Sequence, residues 1–405
     1  MNIEELIENT ENELAEQFHL IEKIAYENQC KVMRAFQKNK IALRHFVSST
    51  GYGYGDEGRD TLNALFADIF GAEAALVSPN ILSGTHALTV GLFGLLRTGD
   101  TLLSVSGNPY DTLQDVISGT DIGSLADYGI RFKKCDLLGC DFNYEQIRAE
   151  LNDPSVKVVF IQRSRGYEWR DALSEAQIQK VCAFVRSCGF EGCIFVDNCY
   201  GEFVECSEPT QNGADIAVGS LIKNIGGGLA PTGGYIVGKR KYVDKIAGRL
   251  TAPSIGAEVG SYAFGYQYFY EGVFFAPHVV CQALKGGLLI GSCLEKLGFE
   301  TSPSVRTLPY DITRAIRFHT RDELIGFIQA VQEASPVDSF VTLEPWDMPG
   351  YNDQVIMAAG TFVQGASIEL SADAPVKEPY IAYFQGGLTY EHCKYALTKI
   401  LEKIR

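Results

Sequence analysis

The spacing of apolar and polar positions divides the chain into segments of different kinds. Residues 1–40 carry apolar side chains at three- and four-residue steps with charges between them, which predicts helix. From residue 61 to about 250, helical spacing alternates with short apolar runs. We expect helices over 61–70, 85–96 and 174–186, and strands over 74–78, 101–105, 158–161, 192–196, 215–220 and 234–237. This alternation predicts an α/β fold, a mostly parallel sheet with helices on both faces.

The strand–helix alternation stops near residue 250, and the remainder of the chain mixes strands and helices. A long helix is expected over about 258–297, with Pro277 ending or kinking it. Beyond it we expect strands over 305–308, 361–370 and 380–384 and helices over 321–334 and 390–404. The predicted domains are an N-terminal helical arm with a glycine–tyrosine loop (1–60), a large ligand-binding domain (61–257), and a connecting helix with a smaller C-terminal α+β domain (258–405).

Composition and charge exclude several classes of protein. Hydrophobic residues make up 46% of the 405 residues, which is too much for a disordered chain. The net charge of −15 opposes binding to nucleic acid or to an anionic membrane surface. The eleven cysteines form no C-x-x-C pair, so buried thiols in a reducing cytosol are a better explanation than a metal site. No signal peptide and no apolar run of membrane-spanning length is visible, so a cytoplasmic location is expected.

Two polar segments that follow strands suggest a ligand site. Ser83, Gly84 and Thr85 open a predicted helix, whose free N–H groups can bind a phosphate, although an ordinary helix cap explains them equally well. Tyr110 follows a strand and a Gly-Asn-Pro turn and can stack on a planar ring, or simply be a loop tyrosine.

Two further residues that follow strands carry the chemistry. Asp197 ends a buried strand, where a carboxylate can pair with a protonated ring nitrogen or merely cap a turn. Lys223 follows the next strand and precedes three glycines; desolvation is expected to lower its pKa and make it a nucleophilic amine. A phosphate site, a stacking ring, an acid and an amine together describe a pocket for pyridoxal 5′-phosphate.

The sequence also resembles a known family over nearly its whole length. Its motifs are similar to those of fold-type I pyridoxal-phosphate enzymes, and more closely to the aluminium-resistance branch related to cystathionine β-lyase and methionine γ-lyase. The matching segments are GYGYGDEGRDTL (51–62), SGTHA (83–87), IQRSRGY (161–167), KNIGGGLAPTGGY (223–235) and FQGGLTY (384–390).

This resemblance implies roles for the candidate residues. Lys223 would bind the aldehyde carbon of the cofactor and later move the Cα proton of the substrate, and Tyr110 would stack on the ring and assist proton transfer. Asp197 would pair with the pyridine nitrogen. The phosphate would be held by Ser83, Gly84, Thr85 and Ser220. In the lyases a tyrosine and an arginine of the neighbouring subunit also reach the phosphate, and Tyr54 and Arg59 are the candidates here.

The sequence departs from the lyases at the substrate carboxylate. The lyases bind this group with an arginine on a late strand, whereas residues 380–384 contain no arginine. Lys377 is the nearest basic residue, and Arg163 and Arg165 at the end of a buried strand offer bidentate geometry instead. The same arginines could equally form ion pairs with surface carboxylates.

Residues and resemblance together predict a pyridoxal-phosphate carbon–sulfur lyase that acts on a sulfur amino acid. It is expected to be a homodimer or homotetramer with active sites shared between subunits. Two alternatives remain open. One is another amino-acid reaction on the same cofactor, such as aldol cleavage or transamination, and the other is a non-catalytic cofactor-binding protein of metal tolerance.

Overall fold

The computed structural model describes residues 2–348 and 353–404 and contains two sheets surrounded by helices. The helices are α1 (Ile3–Glu13), α2 (Ala15–Lys38), α3 (Glu57–Phe70), α4 (Gly84–Leu95), α5 (Asp111–Ser118), α6 (Tyr144–Glu150), α7 (Glu175–Ser187), α8 (Arg240–Leu250), α9 (Gln267–Lys296), α10 (Arg321–Ala334) and α11 (Tyr390–Ile404). The strands are β1 (Ala74–Ser78), β2 (Thr101–Ser104), β3 (Arg131–Lys134), β4 (Val156–Gln162), β5 (Cys193–Asp197), β6 (Ile216–Ser220), β7 (Gly234–Gly238), β8 (Glu300–Ser302), β9 (Thr313–Arg317), β10 (Val355–Ala358), β11 (Ser371–Pro375) and β12 (Ile381–Gln385).

The larger sheet has seven strands in the order β1-β7-β6-β5-β4-β2-β3. Strands β2 to β6 pair in parallel, and β7 lies antiparallel between β6 and β1. Strands β5, β6 and β7 are buried at every position because helices cover both faces. The predicted α/β class with a mostly parallel sheet is confirmed. The carboxyl ends of β4, β5 and β6 meet at one edge, so Gln162, Asp197 and Ser220 become neighbours.

The smaller sheet is built from the C-terminal third of the chain. Its five strands run in the order β10-β11-β12-β9-β8, and every pairing is antiparallel. Helices α10 and α11 pack together and contribute apolar side chains to the same core as this sheet. The domain boundaries at residues 60 and 257 stay a prediction.

Helix α9 passes through the centre of the molecule. Pro277 does not end this helix, because one continuous helix contains the proline, and a kink at Pro277 stays a prediction. By length and composition α9 could cross a membrane. However, 72% of its most apolar 18-residue stretch is buried inside the protein. Its apolar surface is therefore covered by protein, and the cytoplasmic location stays a prediction.

Two predicted strands of the C-terminal part are wrong. Residues 305–308 form a loop between β8 and β9. Residues 361–370 form turns rather than a strand. In this segment the Glu369 carboxylate accepts hydrogen bonds from the backbone N–H groups of Phe362 (2.9 Å) and Val363 (3.0 Å). These bonds stabilise a turn in place of strand pairing. The N-terminal helix is also two helices, α1 and α2, that meet at Leu14.

Candidate active site

A cavity of about 390 Å³ lies where the carboxyl edge of the larger sheet meets the smaller sheet. The polar edge of the larger sheet supplies one part of the lining and strands β10 to β12 supply another. Its lining residues include Ser83, Gly84, Thr85, Tyr110, Gln162, Tyr167, Asp197, Tyr200, Ser220, Lys223, Thr313, Met357, Asp373, Tyr383 and Gln385. Six of the eight residues predicted to bind the cofactor besides Lys223 therefore share one cavity with it, and Tyr54 and Arg59 are not part of its lining.

Lys223 is held just beyond the end of β6. Its Nζ lies 3.9 Å from the centroid of the Tyr200 ring. Burial opposes the charged amine, but the acidic groups around it, Cys199, Tyr200 and Asp197 among them, outweigh burial and hold the pKa of Lys223 well above its ordinary value. The expectation that burial would lower this pKa is wrong, because it left out the neighbouring acidic groups.

Asp197 ends β5 and points into the cavity. Its Oδ1 accepts the backbone N–H of Cys199 at 3.1 Å. Burial raises the pKa of Asp197, and the charge of Lys223 opposes that rise. A buried carboxylate with a positively charged neighbour is suited to pair with a protonated ring nitrogen.

The phosphate-binding end of the cavity is formed by the start of α4 and the end of β6. Ser83 caps the helix, its Oγ accepting the N–H of His86 at 3.1 Å. A Cβ placed on Gly84 would lie 3.4 Å from Cβ of Ser220, so a larger residue would narrow the space between these elements. The buried Oγ of Ser220 has no hydrogen-bond partner within the described chain. A free hydroxyl beside unpaired helix N–H groups fits a phosphate.

Tyr110 connects the phosphate end to the rest of the cavity. Its hydroxyl lies 2.8 Å from Oγ1 of Thr85, and its backbone N–H donates to Oε1 of Gln162 at 2.8 Å. Burial, and then the negative charge of Asp197, raise the pKa of Tyr110, so the hydroxyl keeps its proton. Sequence reasoning missed Gln162, although its place at the end of β4 was a usable signal.

Arg163 cannot bind a substrate in this arrangement, and the prediction for this residue is wrong. Its side chain is fully buried and does not line the cavity. The guanidinium forms ion pairs with Glu175 and Glu205, both at 2.8 Å, and donates to Oδ1 of Asn198 at 2.9 Å. It therefore joins β4 to α7 and to the segment after β5.

Arg165 is buried directly behind the cavity wall. Its Nη1 donates to the backbone oxygen and Oγ of Ser302 at 2.7 and 2.9 Å. Its Nε and Nη2 have no hydrogen-bond partner among the described residues. Burial lowers the pKa of Arg165, while Asp311 opposes that change. The residues on either side, Ser164 and Gly166, line the cavity.

The other predicted site residues are not part of the lining of this cavity. Lys377 is exposed and pairs with Asp353, and its charge also acts on Asp111, which lines the cavity. Arg59 donates through Nη1 to the carbonyl oxygens of Gly53 (2.9 Å) and Gly260 (3.1 Å), so it holds the glycine–tyrosine loop in place. Tyr54 is 68% exposed on that loop. A contact of Tyr54 or Arg59 with the cofactor of a neighbouring subunit stays a prediction.

Sequence reasoning also missed the wall formed by the smaller sheet. Asp373, Tyr383 and Gln385 lie on β11 and β12, and Tyr167 lies on the loop after β4. Tyr167 donates its hydroxyl to Asp373, and Tyr383 donates its hydroxyl to the backbone oxygen of Tyr167. The available signal in the sequence was a single aspartate among small residues, in Ser-Ala-Asp-Ala-Pro (371–375).

Comparison with known proteins gives a consistent family. The family model described as "Methionine gamma-lyase" matches residues 3–405. The Bacillus subtilis protein YnbB, which is described as uncharacterized, is 48% identical over 388 residues, which is 95% of this chain and 92% of that protein.

Solved structures agree in fold. A protein of Clostridium novyi, described as a carbon–sulfur lyase involved in aluminum resistance, is 48% identical with a TM-score of 0.96, covering 100% of this chain and 96% of that one. The pyridoxal-5′-phosphate-dependent protein YhfS of Escherichia coli is 17% identical with a TM-score of 0.63, covering 93% of this chain and 96% of that one, and shows likeness of fold alone.

Proposed function

The chain belongs to the methionine gamma-lyase family, and from that premise we propose that it is a pyridoxal-phosphate-dependent carbon–sulfur lyase acting on a sulfur amino acid. One observation carries the proposal. The half-buried Lys223 shares a cavity with Asp197 and with the Ser220 hydroxyl, which lies beside the N-terminus of α4 and has no hydrogen-bond partner among the described residues. These groups match the aldehyde, the ring nitrogen and the phosphate of the cofactor.

The residues would hold the cofactor at four points. Ser83, Gly84, Thr85 and Ser220 would bind the phosphate. Asp197 would keep the ring nitrogen protonated, and Lys223 would bind the aldehyde carbon. Tyr110 and Tyr200 both line the cavity and offer aromatic faces to the ring. Once bound, the cofactor supplies an electron sink for the bonds at the substrate Cα.

The chain's own groups then move the protons. Lys223 Nζ, when it is not bonded to the cofactor, would accept the Cα proton of the substrate. The electron pair of the C–S bond would leave with sulfur, and Lys223 or the protonated Tyr110 would give that sulfur a proton. Hydrolysis of the remaining fragment would complete the reaction. Overall, a thioether amino acid and water give a thiol, a 2-oxo acid and ammonium.

Arg165 is our candidate for the substrate carboxylate: like Arg163 it is buried and does not itself line the cavity, but unlike Arg163 its guanidinium is not paired with carboxylates within the described chain. Its buried Nε and Nη2 are free of hydrogen bonds within the described chain, and its neighbours Ser164 and Gly166 line the cavity. A buried guanidinium with two unused nitrogens lacks the partners that such groups usually have. A structure with a bound amino-acid analogue tests this assignment, which fails if the carboxylate lies away from Arg165.

The test of the proposed function is loss of cofactor on Lys223→Ala. Purified protein should show the yellow absorbance band of lysine-bound pyridoxal phosphate, and Lys223→Ala should abolish both the band and turnover. Lys241→Ala, which changes a lysine on the surface helix α8, should keep the band. A colourless wild type that takes up no added cofactor would contradict the proposal.

Product analysis separates the proposed lyase from the alternatives. Cystathionine should release pyruvate or 2-oxobutyrate together with a thiol. Release of glycine from a β-hydroxy amino acid would instead indicate aldol cleavage. Full cofactor occupancy with no product from a panel of amino acids would favour a binding protein without turnover.

A further inference from the structure

Asp373 is a buried acid on the wall of the cavity opposite the cofactor-binding edge. It lies in the middle of β11, 8% exposed. Its cross-strand partners are Met357 on β10 and Tyr383 on β12, and all three residues line the cavity. Residues paired across antiparallel strands share a face of the sheet, so this row forms a wall of the cavity.

The carboxylate of Asp373 has capacity for a further donor. One oxygen accepts the Tyr167 hydroxyl and the other accepts Nε2 of Gln385 at 3.3 Å. An ionised carboxylate can accept about four hydrogen bonds, so two positions remain. Burial raises the pKa of Asp373 to about 6, which leaves most of it ionised at neutral pH. Within residues 2–348 and 353–404 it has no ion-pair partner.

The charge balance of the cavity favours a positively charged occupant near this residue. Of the residues that the structure describes, Lys223 is the only lysine, arginine or histidine that lines the cavity, and the cofactor would occupy it. A buried carboxylate without a positive partner is costly and is stabilised by one. The rings of Tyr167 and Tyr383, with centroids 4.9 Å apart, add aromatic faces that attract a cation.

We propose that Asp373 determines the specificity of this site by binding a positively charged group on the side chain of the amino-acid substrate. The inference rests on the proposed function, because it names the class of substrate for the same site. Thioether amino acids with a distal ammonium belong to this class, whereas those with an uncharged alkyl tail do not.

Two synthetic substrates of equal length test the proposal. S-(2-aminoethyl)-L-cysteine and S-propyl-L-cysteine differ only in ending in an ammonium or a methyl group. Wild-type holoenzyme should cleave the aminoethyl compound with a kcat/KM at least about tenfold higher. In Asp373→Asn this preference should fall to about unity, mainly through a higher KM for the aminoethyl compound.

A neighbouring acid provides the matched control. Asp111 also lines the cavity but is exposed. Asp111→Asn should keep the preference within about twofold of the wild-type ratio, because the charge that it removes is screened by solvent.

Binding is measured separately, from the change in cofactor absorbance when each compound is added. If neither compound is cleaved but the wild type binds the aminoethyl compound more tightly and Asp373→Asn does not, the proposed lyase activity fails and the role of Asp373 stands. A wild type that does not discriminate between the two compounds overturns the inference without any variant. A preference that survives in Asp373→Asn also overturns it.

Discussion

At the scale of single residues, the buried hydroxyl of Ser220 has no hydrogen-bond partner among the described residues, which suits a site for a phosphate. A buried hydroxyl without a partner costs stability unless a ligand supplies one. Its neighbours are the first residues of α4, where the helix dipole favours negative charge. The hydroxyl is therefore expected to contribute to cofactor binding and little to the stability of the cofactor-free protein.

We predict that Ser220→Ala weakens pyridoxal phosphate binding by about tenfold, the value of one hydrogen bond to a charged group. Titration of the cofactor-free protein with pyridoxal phosphate measures the dissociation constant. The unfolding temperature of cofactor-free Ser220→Ala should equal or exceed that of wild type, because the variant lacks a buried hydroxyl that has no described partner. Ser292→Ala is the control, since its hydroxyl is also buried and unpaired in the described chain but lies on α9. Equal effects of the two variants would show that the Ser220 hydroxyl does not meet the phosphate.

At the scale of elements, an acidic residue is buried beside the strands that carry the site. Oε1 of Glu202 accepts the hydroxyl of Tyr235, on β7, at 2.8 Å, and Oε2 has no described partner. Burial raises the pKa of Glu202 from 4.5 to about 8. The folded protein therefore keeps a proton that the unfolded chain has already released at neutral pH.

This linkage predicts that stability falls as pH rises from about 4.5 to about 8, because the folded state binds more protons in that window. Glu202→Gln should make the fall shallower, since an amide keeps the hydrogen bond and does not titrate. Thermal unfolding of the cofactor-free protein at intervals across this range measures the slope. The exposed Glu191→Gln should leave the slope as in wild type, and an unchanged slope in Glu202→Gln would refute the assignment.

At the scale of the whole molecule, two adjoining segments expose aromatic side chains. Tyr52 and Tyr54 stack on each other on one segment, and Phe264 is 84% exposed on the other. A hydrogen bond from Gly260 N–H to the Tyr52 backbone oxygen (3.0 Å) joins the segments. We propose that a second copy of this chain covers this aromatic surface, because the resemblance noted in the sequence places the glycine–tyrosine loop in a neighbouring active site.

Replacing one of these aromatic side chains by a charge tests that assembly. Phe264→Asp should shift the protein toward a smaller species in analytical ultracentrifugation, because burying an unpaired carboxylate at an interface is costly. Phe340→Asp changes a residue that is 85% exposed elsewhere and should leave the assembly unchanged. A wild type that sediments as a monomer at every concentration would contradict the proposal.

The sequence determined the α/β class and the cofactor edge of the site because both depend on local patterns. Apolar runs bounded by polar turns gave the strands β1, β4, β5 and β6. The polar residues that follow parallel strands must meet at one edge, so Asp197 and Lys223 could be brought together from their positions alone, whereas Ser220 came from the resemblance to the family.

Only the tertiary structure decided what lies opposite that edge and which basic groups remain available. Arg163 and Arg165 are two positions apart, yet Arg163 forms ion pairs with carboxylates from distant segments of the chain. Two nitrogens of Arg165 form no hydrogen bond within the described chain. Asp373 faces the cavity because of the register in which β11 pairs with β10 and β12, strands from separate parts of the C-terminal third. Charge pairing and register depend on contacts between residues far apart in the chain, which a local pattern does not encode.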